Sequence, residues 1–335
     1  MDTDDLSSAL DRWQRRGSIP SISARYVVVR FPNTVTDPAH VRQLLDPLTY
    51  DEIVNLIRTG DARTSGVVFS SYRLKRHGGR VRILAEEVGS LTPDGRLTFK
   101  YVTDAWGEIG GMWNTLSAGE GALLNTGYAK IHGTIKLPEF YDYSMEVGDL
   151  VYVPPVVVYP EVVSASGVSS FVDGRLVFKA SLIPDNSPFL ARAGKAARDF
   201  PYPPSVTATF SQDTLCLERL EHQFGFTVDG RYVREVIRTV DVPGTWFPVR
   251  ALGYCAESGH PNSMIAYYCC DEKTLEFPDA IPDAELSVPV PDGVRVIDED
   301  LGVSYVKGDP ETPAVILKPR RPLDCNCDSA AKLTE

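Results

Sequence analysis

The chain is poor in the residues that build metal centres and disulfide frameworks. It has 6 cysteines and 5 histidines in 335 residues. No C-x-x-C, H-x-H or H-x-x-x-H pair occurs, so no zinc site is expected and no cofactor is called for. Cys325 and Cys327 flank one residue of a polar tail, too close for both thiolates to chelate one ion in the usual way. Cys255, Cys269 and Cys270 lie in apolar runs, where a thiol packs as a small hydrophobe. No run of 18 apolar residues exists, which excludes a membrane-spanning helix from the expectations. The opening MDTDDLSSAL lacks the basic-then-apolar pattern of a leader, and a cytoplasmic location is expected. Positive charge is also in deficit: 34 Lys and Arg stand against 45 Asp and Glu, for a net −11. Neutralising nucleic-acid phosphates needs clustered cations, so no nucleic-acid partner is expected. The densest basic run, RLKRHGGRVR from Arg73 to Arg82, reads as a solvated hairpin, with a small anion site as the other reading. A phosphate-binding Gly-Lys loop, a dinucleotide fingerprint and a Gly-x-Ser-x-Gly elbow are all missing, which disfavours nucleotide binding and serine hydrolysis.

What is present is an ordinary globular composition, 43% hydrophobic and 24% charged, arranged mostly with strand periodicity. Leu6, Leu10 and Trp13 share one face of a helix over 4–16, ended by Gly17 and Pro20. Asp37-Pro38 supplies an N-cap and a first-turn proline for a short helix carrying Val41, Leu44 and Leu45. A second short helix is expected over 50–58, and another over 187–198. The rest reads as short strands rich in Val, Ile, Tyr and Phe. The pairs Asp94-Gly95, Asp173-Gly174 and Asp229-Gly230 each stand between strand-like runs, where a type I′ hairpin needs two residues of positive φ. Such a pattern predicts a mainly β chain, a barrel or sandwich with a few short helices. Residues 1–308 are expected to form one domain and 309–335 an extended arm.

The stretch VVVYPEVV, an Asp-Gly hairpin, Asp185-Asn186-Ser187-Pro188, Gly194-Lys195 and Asp199-Phe200-Pro201 follow one another in order. This order resembles the acetoacetate decarboxylase family, in which a Tyr-x-Glu strand precedes a hairpin, a turn with proline, a Gly-Arg helix start and a Gly-Phe-Pro-Lys-Lys motif. Upstream, Thr36-Asp37-Pro38 after ARYVVVRF is similar to the family's opening; downstream, Phe277-Pro278-Asp279-Ala280 resembles its close. The resemblance covers about two thirds of the chain in pieces and makes residues 60–145 an extra layer or insertion. It implies a closed β-barrel or cone with the site inside.

In that family the first lysine of the Lys-Lys pair forms a Schiff base, which needs an amine neutral near pH 7. Here Tyr202 and Pro203 follow Phe200-Pro201, so the resemblance implies a member without that nucleophile. The expected chemistry is then general acid–base: Glu161, desolvated among Val157, Val158, Val162 and Val163, moves a proton, and Tyr202 polarises a carbonyl. Glu161 on an edge strand beside Pro160 and Tyr202 as a packing aromatic are the plain alternatives. Lys179 shares a strand face with Val177 and Ser181 and replaces the missing amine if that face lines the cavity; on a solvent face it is a surface lysine. Lys195, Arg25, Tyr159, Phe200 and His260 complete the expected substrate contacts. The resulting expectation is a cofactor-independent lyase or isomerase performing dehydration, isomerisation or cyclisation. Its partner would be a keto or polyketide-like small molecule of specialised metabolism. A homo-oligomer is compatible, and no membrane partner is expected. The other readings are a non-catalytic small-molecule-binding barrel and a structural β protein such as a viral coat subunit.

Overall fold

The protein was analysed as a computed structural model, which describes residues 8–9, 11–12, 19–31, 35, 37–60, 64, 66–78, 80–91, 97–99, 101–108, 113–119, 128–132, 145–147, 150–152, 168–181, 205–223, 231–257, 260–290, 292–298 and 303–316. It is mainly β. In chain order the strands are β1 (Ser21–Arg30), β2 (Val68–His77), β3 (Arg80–Leu91), β4 (Leu97–Phe99), β5 (Tyr101–Glu108), β6 (Trp113–Gly119), β7 (Tyr128–His132), β8 (Met145–Val147), β9 (Leu150–Tyr152), β10 (Val168–Val172), β11 (Arg175–Ser181), β12 (Ser205–Ser211), β13 (Leu217–Gln223), β14 (Arg231–Val242), β15 (Thr245–Glu257), β16 (His260–Cys270), β17 (Arg295–Asp298), β18 (Val303–Val306) and β19 (Val315–Ile316). The helices are α1 (Pro38–Leu45), α2 (Tyr50–Arg58) and α3 (Asp283–Leu286).

Strand pairing builds one long sheet. A meander from β10 to β16 pairs each strand with the next. Strand β16 then pairs with β1, and β1, β2, β3, β5, β6 and β7 continue it. All these pairs are antiparallel; β7 then pairs in parallel with β17, which carries β18 and β19. Strand β4 adds to β3 beside β5, and β8–β9 form a separate hairpin. The expected closed barrel is not formed. Among the described residues β10 and β19 each have a partner on one side only, so the sheet keeps two edges. Barrel closure would require those edges to meet. Instead the parallel β7–β17 junction adds three more strands to one end.

Side-chain alternation gives the sheet two distinct faces. In β1, Tyr26, Val27, Val28 and Val29 are all buried, as a strand covered on both sides requires. Val27, Val29, Phe69, Val233, Leu252, Tyr254, Ile265, Tyr267 and Cys269 form the helix face, packed with Val41, Leu45, Ile53 and Ile57 of α1 and α2. The opposite face carries Tyr26, Val28, Leu74, Ile83, Ala251, Ala266, Tyr268 and Cys270. It continues across the meander through Leu176, Phe178, Ala208, Phe210, Leu217 and Leu220. The register shows that this second face is one surface: Phe178 stands opposite Ala208, Ala208 opposite Leu220, and Ala251 opposite Tyr268.

The short helices start where the sequence predicts. Asp37 caps α1 by accepting the amide of Ala39 at 2.9 Å. Thr49 and Glu52 form a reciprocal capping box at α2: the Glu52 carboxylate accepts the Thr49 amide at 2.7 Å, and Thr49 Oγ1 accepts the Glu52 amide at 3.3 Å. Thr49→Ala is expected to lower stability by about 1 kcal/mol, a typical cap value, read as a shift in the urea midpoint without a change in slope. The Asp173-Gly174 turn has φ of 48° and 75°, the paired positive values that its hairpin demands. Of the expected helix over 4–16, residues 8, 9, 11 and 12 are helical, and Ala9 is fully buried against Trp246 and its neighbours. The expected helix over 187–198 and the strands over 157–165 and 224–228 lie outside the described residues.

Candidate functional site

The residues expected to carry chemistry do not assemble into one described site. Glu161, Tyr202, Lys195, Tyr159 and Phe200 lie outside the described residues. Lys179 sits in β11 and is exposed, so its amine meets solvent rather than a cavity. His260 opens β16 opposite Glu257. Arg25 is half-buried in β1 with its guanidinium 5.9 Å from the Tyr50 ring centre, a stacking cation–π distance. Five strands, β12 to β16, separate Lys179 from Arg25 in the sheet, about 29 Å along it at ~4.8 Å per strand.

A polar network that the sequence reading missed fastens the helix pair to the sheet. Arg250, in β15 and 8% exposed, donates to the main-chain oxygens of Asp46 at 2.5 Å and Leu48 at 2.6 Å. These are carbonyls at and just beyond the C-terminal end of α1, where the helix dipole favours a cation. The Asp46 carboxylate accepts from Tyr267 at 3.0 Å and from Arg42 at 3.1 Å. Arg42 also donates to Glu235 at 3.4 Å, and Glu235 accepts from Tyr254 and Arg219, each at 3.0 Å. Arg219 reaches Glu221 at 2.6 Å, and Arg231 closes the chain to Glu221 at 3.2 Å. Burial, and then the neighbouring Glu235 charge, push the Tyr254 phenol up to about 12. Burial, then Asp46, drives Tyr267 higher still. Both phenols stay protonated as hydrogen-bond donors.

The thiols of Cys269 and Cys270 are likewise held in their unreactive form. Burial pushes Cys269 up to about 11 and Cys270 well above its ordinary value. A thiolate is the nucleophile, and both sites oppose its formation. Among the described residues no group of three His, Cys, Asp or Glu side chains is placed to hold a metal.

Two features suit ligand binding. The first is the apolar face opposite α1 and α2. A cross-strand row runs over it through Ala208, Leu220, Arg234, Gly253 and Ala266. Three of the five positions are Ala or Gly, so the face is thin along this line. Arg234, 2% exposed, sets a buried cation into this row. Ala9 packs on the Trp246 side of this face, and Leu275 and Phe277 pack on the Phe247 side, where Phe277 meets the Phe247 ring edge-on at 5.7 Å. The second feature is a hollow of about 60 Å³ on the helix face, lined by Arg73, Lys75, Arg82 and Leu84 of β2 and β3.

No family model matches the chain, and no curated protein matches it. Among solved structures it is similar to a LolA superfamily protein from Nitrosomonas europaea, with 9% identity and a TM-score of 0.41 over 84% of this chain and 97% of that one. A DUF1329 family protein from Desulfovibrio piger gives 11% identity and a TM-score of 0.39 over 85% and 98%. The resemblance to acetoacetate decarboxylases, which implies a closed barrel, is corrected by the sheet: the described strands leave β10 and β19 as open edges. The motifs behind it, Asp-Gly hairpins and proline turns, are generic turn chemistry that any meander of short strands uses. With that resemblance falls the lyase or isomerase reading built on it, and with it the polyketide-like substrate.

Proposed function

We propose that the protein is a non-catalytic binding protein for an apolar small molecule, held on the sheet face opposite α1 and α2. One observation carries the reading. That face carries two apolar clusters between β11 and β3, is thin along the row through Ala208, Gly253 and Ala266, and sets the buried guanidinium of Arg234 between Leu220 and Gly253 in that row. Ligand sites are mostly apolar with a few fixed polar groups, and an Arg fork supplies up to five donors for orienting a carbonyl or acid group. The phenols of Tyr254 and Tyr267 and the thiols of Cys269 and Cys270 reinforce it, because their proton affinities are raised by burial rather than tuned towards neutrality for acid–base work.

The reading is tested by titrating the full chain with N-phenyl-1-naphthylamine, a neutral apolar fluorophore, and comparing Ala266→Phe and Ala208→Phe. Each adds a ring to the thin row. Saturable binding that weakens at least tenfold in a variant that still melts cooperatively supports the face as the site. Unchanged affinity in both folded variants overturns it.

A further inference from the structure

The apolar face has two covers, and they are fastened in different ways. On the Phe247 side, Leu275 and Phe277 flank Glu276, which exchanges two main-chain hydrogen bonds with Ser23 of β1, at 3.0 and 2.9 Å. That cover is joined to the sheet by the backbone itself. On the Trp246 side the cover is the helical residues Ser8, Ala9, Asp11 and Arg12. Ala9 is fully buried in the cluster of Trp246, Phe178, Phe210 and Cys216, yet it contributes only a methyl group. The same cluster holds Ala208 and Leu220, the first two positions of the thin row, so this cover stands at one end of it. Its tie is Arg12. The Arg12 side chain, 31% exposed, donates to the Thr214 carbonyl at 2.6 Å and the Thr245 carbonyl at 3.3 Å, and lies 3.7 Å from the Asp241 carboxylate, which is 92% exposed. Thr245 Oγ1 donates back to the Arg12 carbonyl at 2.7 Å. One side chain thus joins the β12–β13 turn to the β14–β15 turn. Exposed ion pairs add little stability, and solvent-exposed ties open more readily than a core ladder.

We propose that the helical residues around Ala9 and Arg12 are a lid on the Trp246 end of the apolar face, that Arg12 is its latch, and that the ligand enters and leaves when Arg12 lets go. The lid rests on the reading of this face as the binding site. A native thiol reports its opening without any ligand. The Thr214 carbonyl that accepts from Arg12 also accepts from the Cys216 thiol, at 3.6 Å. Cys216 is 7% exposed and belongs to the cluster that buries Ala9. Release of Arg12 therefore uncovers Cys216 first. Cys270 lies in the cluster under Leu275 and Phe277, and Cys269 on the helix face, so this opening reaches neither.

The test follows two rates in the full chain. The first is modification of the native thiols by N-ethylmaleimide, located by peptide mass. Arg12→Ala removes hydrogen bonds from a charged donor, so Cys216 should react about tenfold faster or more, while Cys269 and Cys270 keep the parent rates. Asp241→Asn changes an exposed side chain and leaves the core intact; it should act in the same direction by a smaller factor. The second rate is stopped-flow exchange of N-phenyl-1-naphthylamine. Association and release should both accelerate several-fold in Arg12→Ala with Kd nearly unchanged, because a latch alters the path and not the bound state. Cys216 reacting at the parent rate in both variants overturns the lid. Equal acceleration of all three thiols overturns it too, since that marks a general loosening. Faster Cys216 labelling with unchanged probe exchange overturns the gate. A parent that binds no probe overturns the reading of the face, and the gate with it, whereas the Cys216 rates alone decide the latch.

Discussion

Trp246→Ala is expected to cost about 3–5 kcal/mol, the range for emptying a large aromatic site in a core, and to lower the melting temperature by roughly 10 °C on the usual conversion for a chain above 150 residues. Trp246 is fully buried and contributes to the cluster with Leu176, Phe178, Ala208 and Phe210. It also lies where the N-terminal helical residues join the sheet. Ala9 is buried in the same cluster, Arg12 donates to the Thr214 carbonyl at 2.6 Å, and Thr245, the neighbour of Trp246, donates to the Arg12 carbonyl at 2.7 Å. Removing the indole therefore opens a cavity and loosens the joint between the N-terminal residues and the β12–β13 and β14–β15 turns. Thermal melts of Trp246→Ala and Trp246→Phe check this, with the phenylalanine retaining most of the loss. Equal melting of the parent and the alanine variant would contradict the assigned packing.

Arg250→Ala is expected to cost about 3 kcal/mol or more, because each of its two hydrogen bonds uses a charged donor worth roughly 1.5–3 kcal/mol. The loss is local in its consequence. Arg250 joins β15 to the Asp46 and Leu48 carbonyls behind α1, while Tyr267 and Arg42 hold the Asp46 carboxylate. Without the guanidinium, the two carbonyls lose their donors at the negative end of a helix. Amide exchange in α1 and α2 should accelerate more than exchange in β1 or β16, whose ladders do not depend on Arg250. Arg250→Lys, a point charge without the fork, should recover less than half of the loss. Uniform acceleration across the sheet would show that the helix pair is not a separately fastened layer.

The sequence was most informative where local rules act alone. Asp37 and Thr49 announce α1 and α2 because a capping side chain needs only its own next turn. The Asp173-Gly174 hairpin was equally legible, since its positive φ values are a local demand. Strands β6, β7, β17 and β18 were not legible. Their short runs are stabilised by partners far along the chain, as in the parallel pairing of Val296 with Ala129, and no local pattern encodes a register. The binding elements were hidden for the same reason. Arg234 and Arg250 look like solvent-facing charges in alternating strands, and only the covering of both faces buries them. The basic run at 73–82 was visible as composition. Its turn into a hollow depends on α3, more than 200 residues away, reaching Lys75 and Arg82. The closed barrel was a mistaken expectation of a different kind: short strands and Asp-Gly turns specify a meander, and a meander closes only if its edges meet.

The most direct test of the central claim is the stoichiometry of apolar ligand binding to the full chain. Titration with N-phenyl-1-naphthylamine, followed by energy transfer from tryptophan, should show saturable binding at one probe per chain, displaced by a competing apolar ligand and indifferent to salt. Turnover of none of a panel of keto acids and ketones should accompany it. A featureless linear rise of fluorescence with probe, with no saturation and no displacement, would contradict the account.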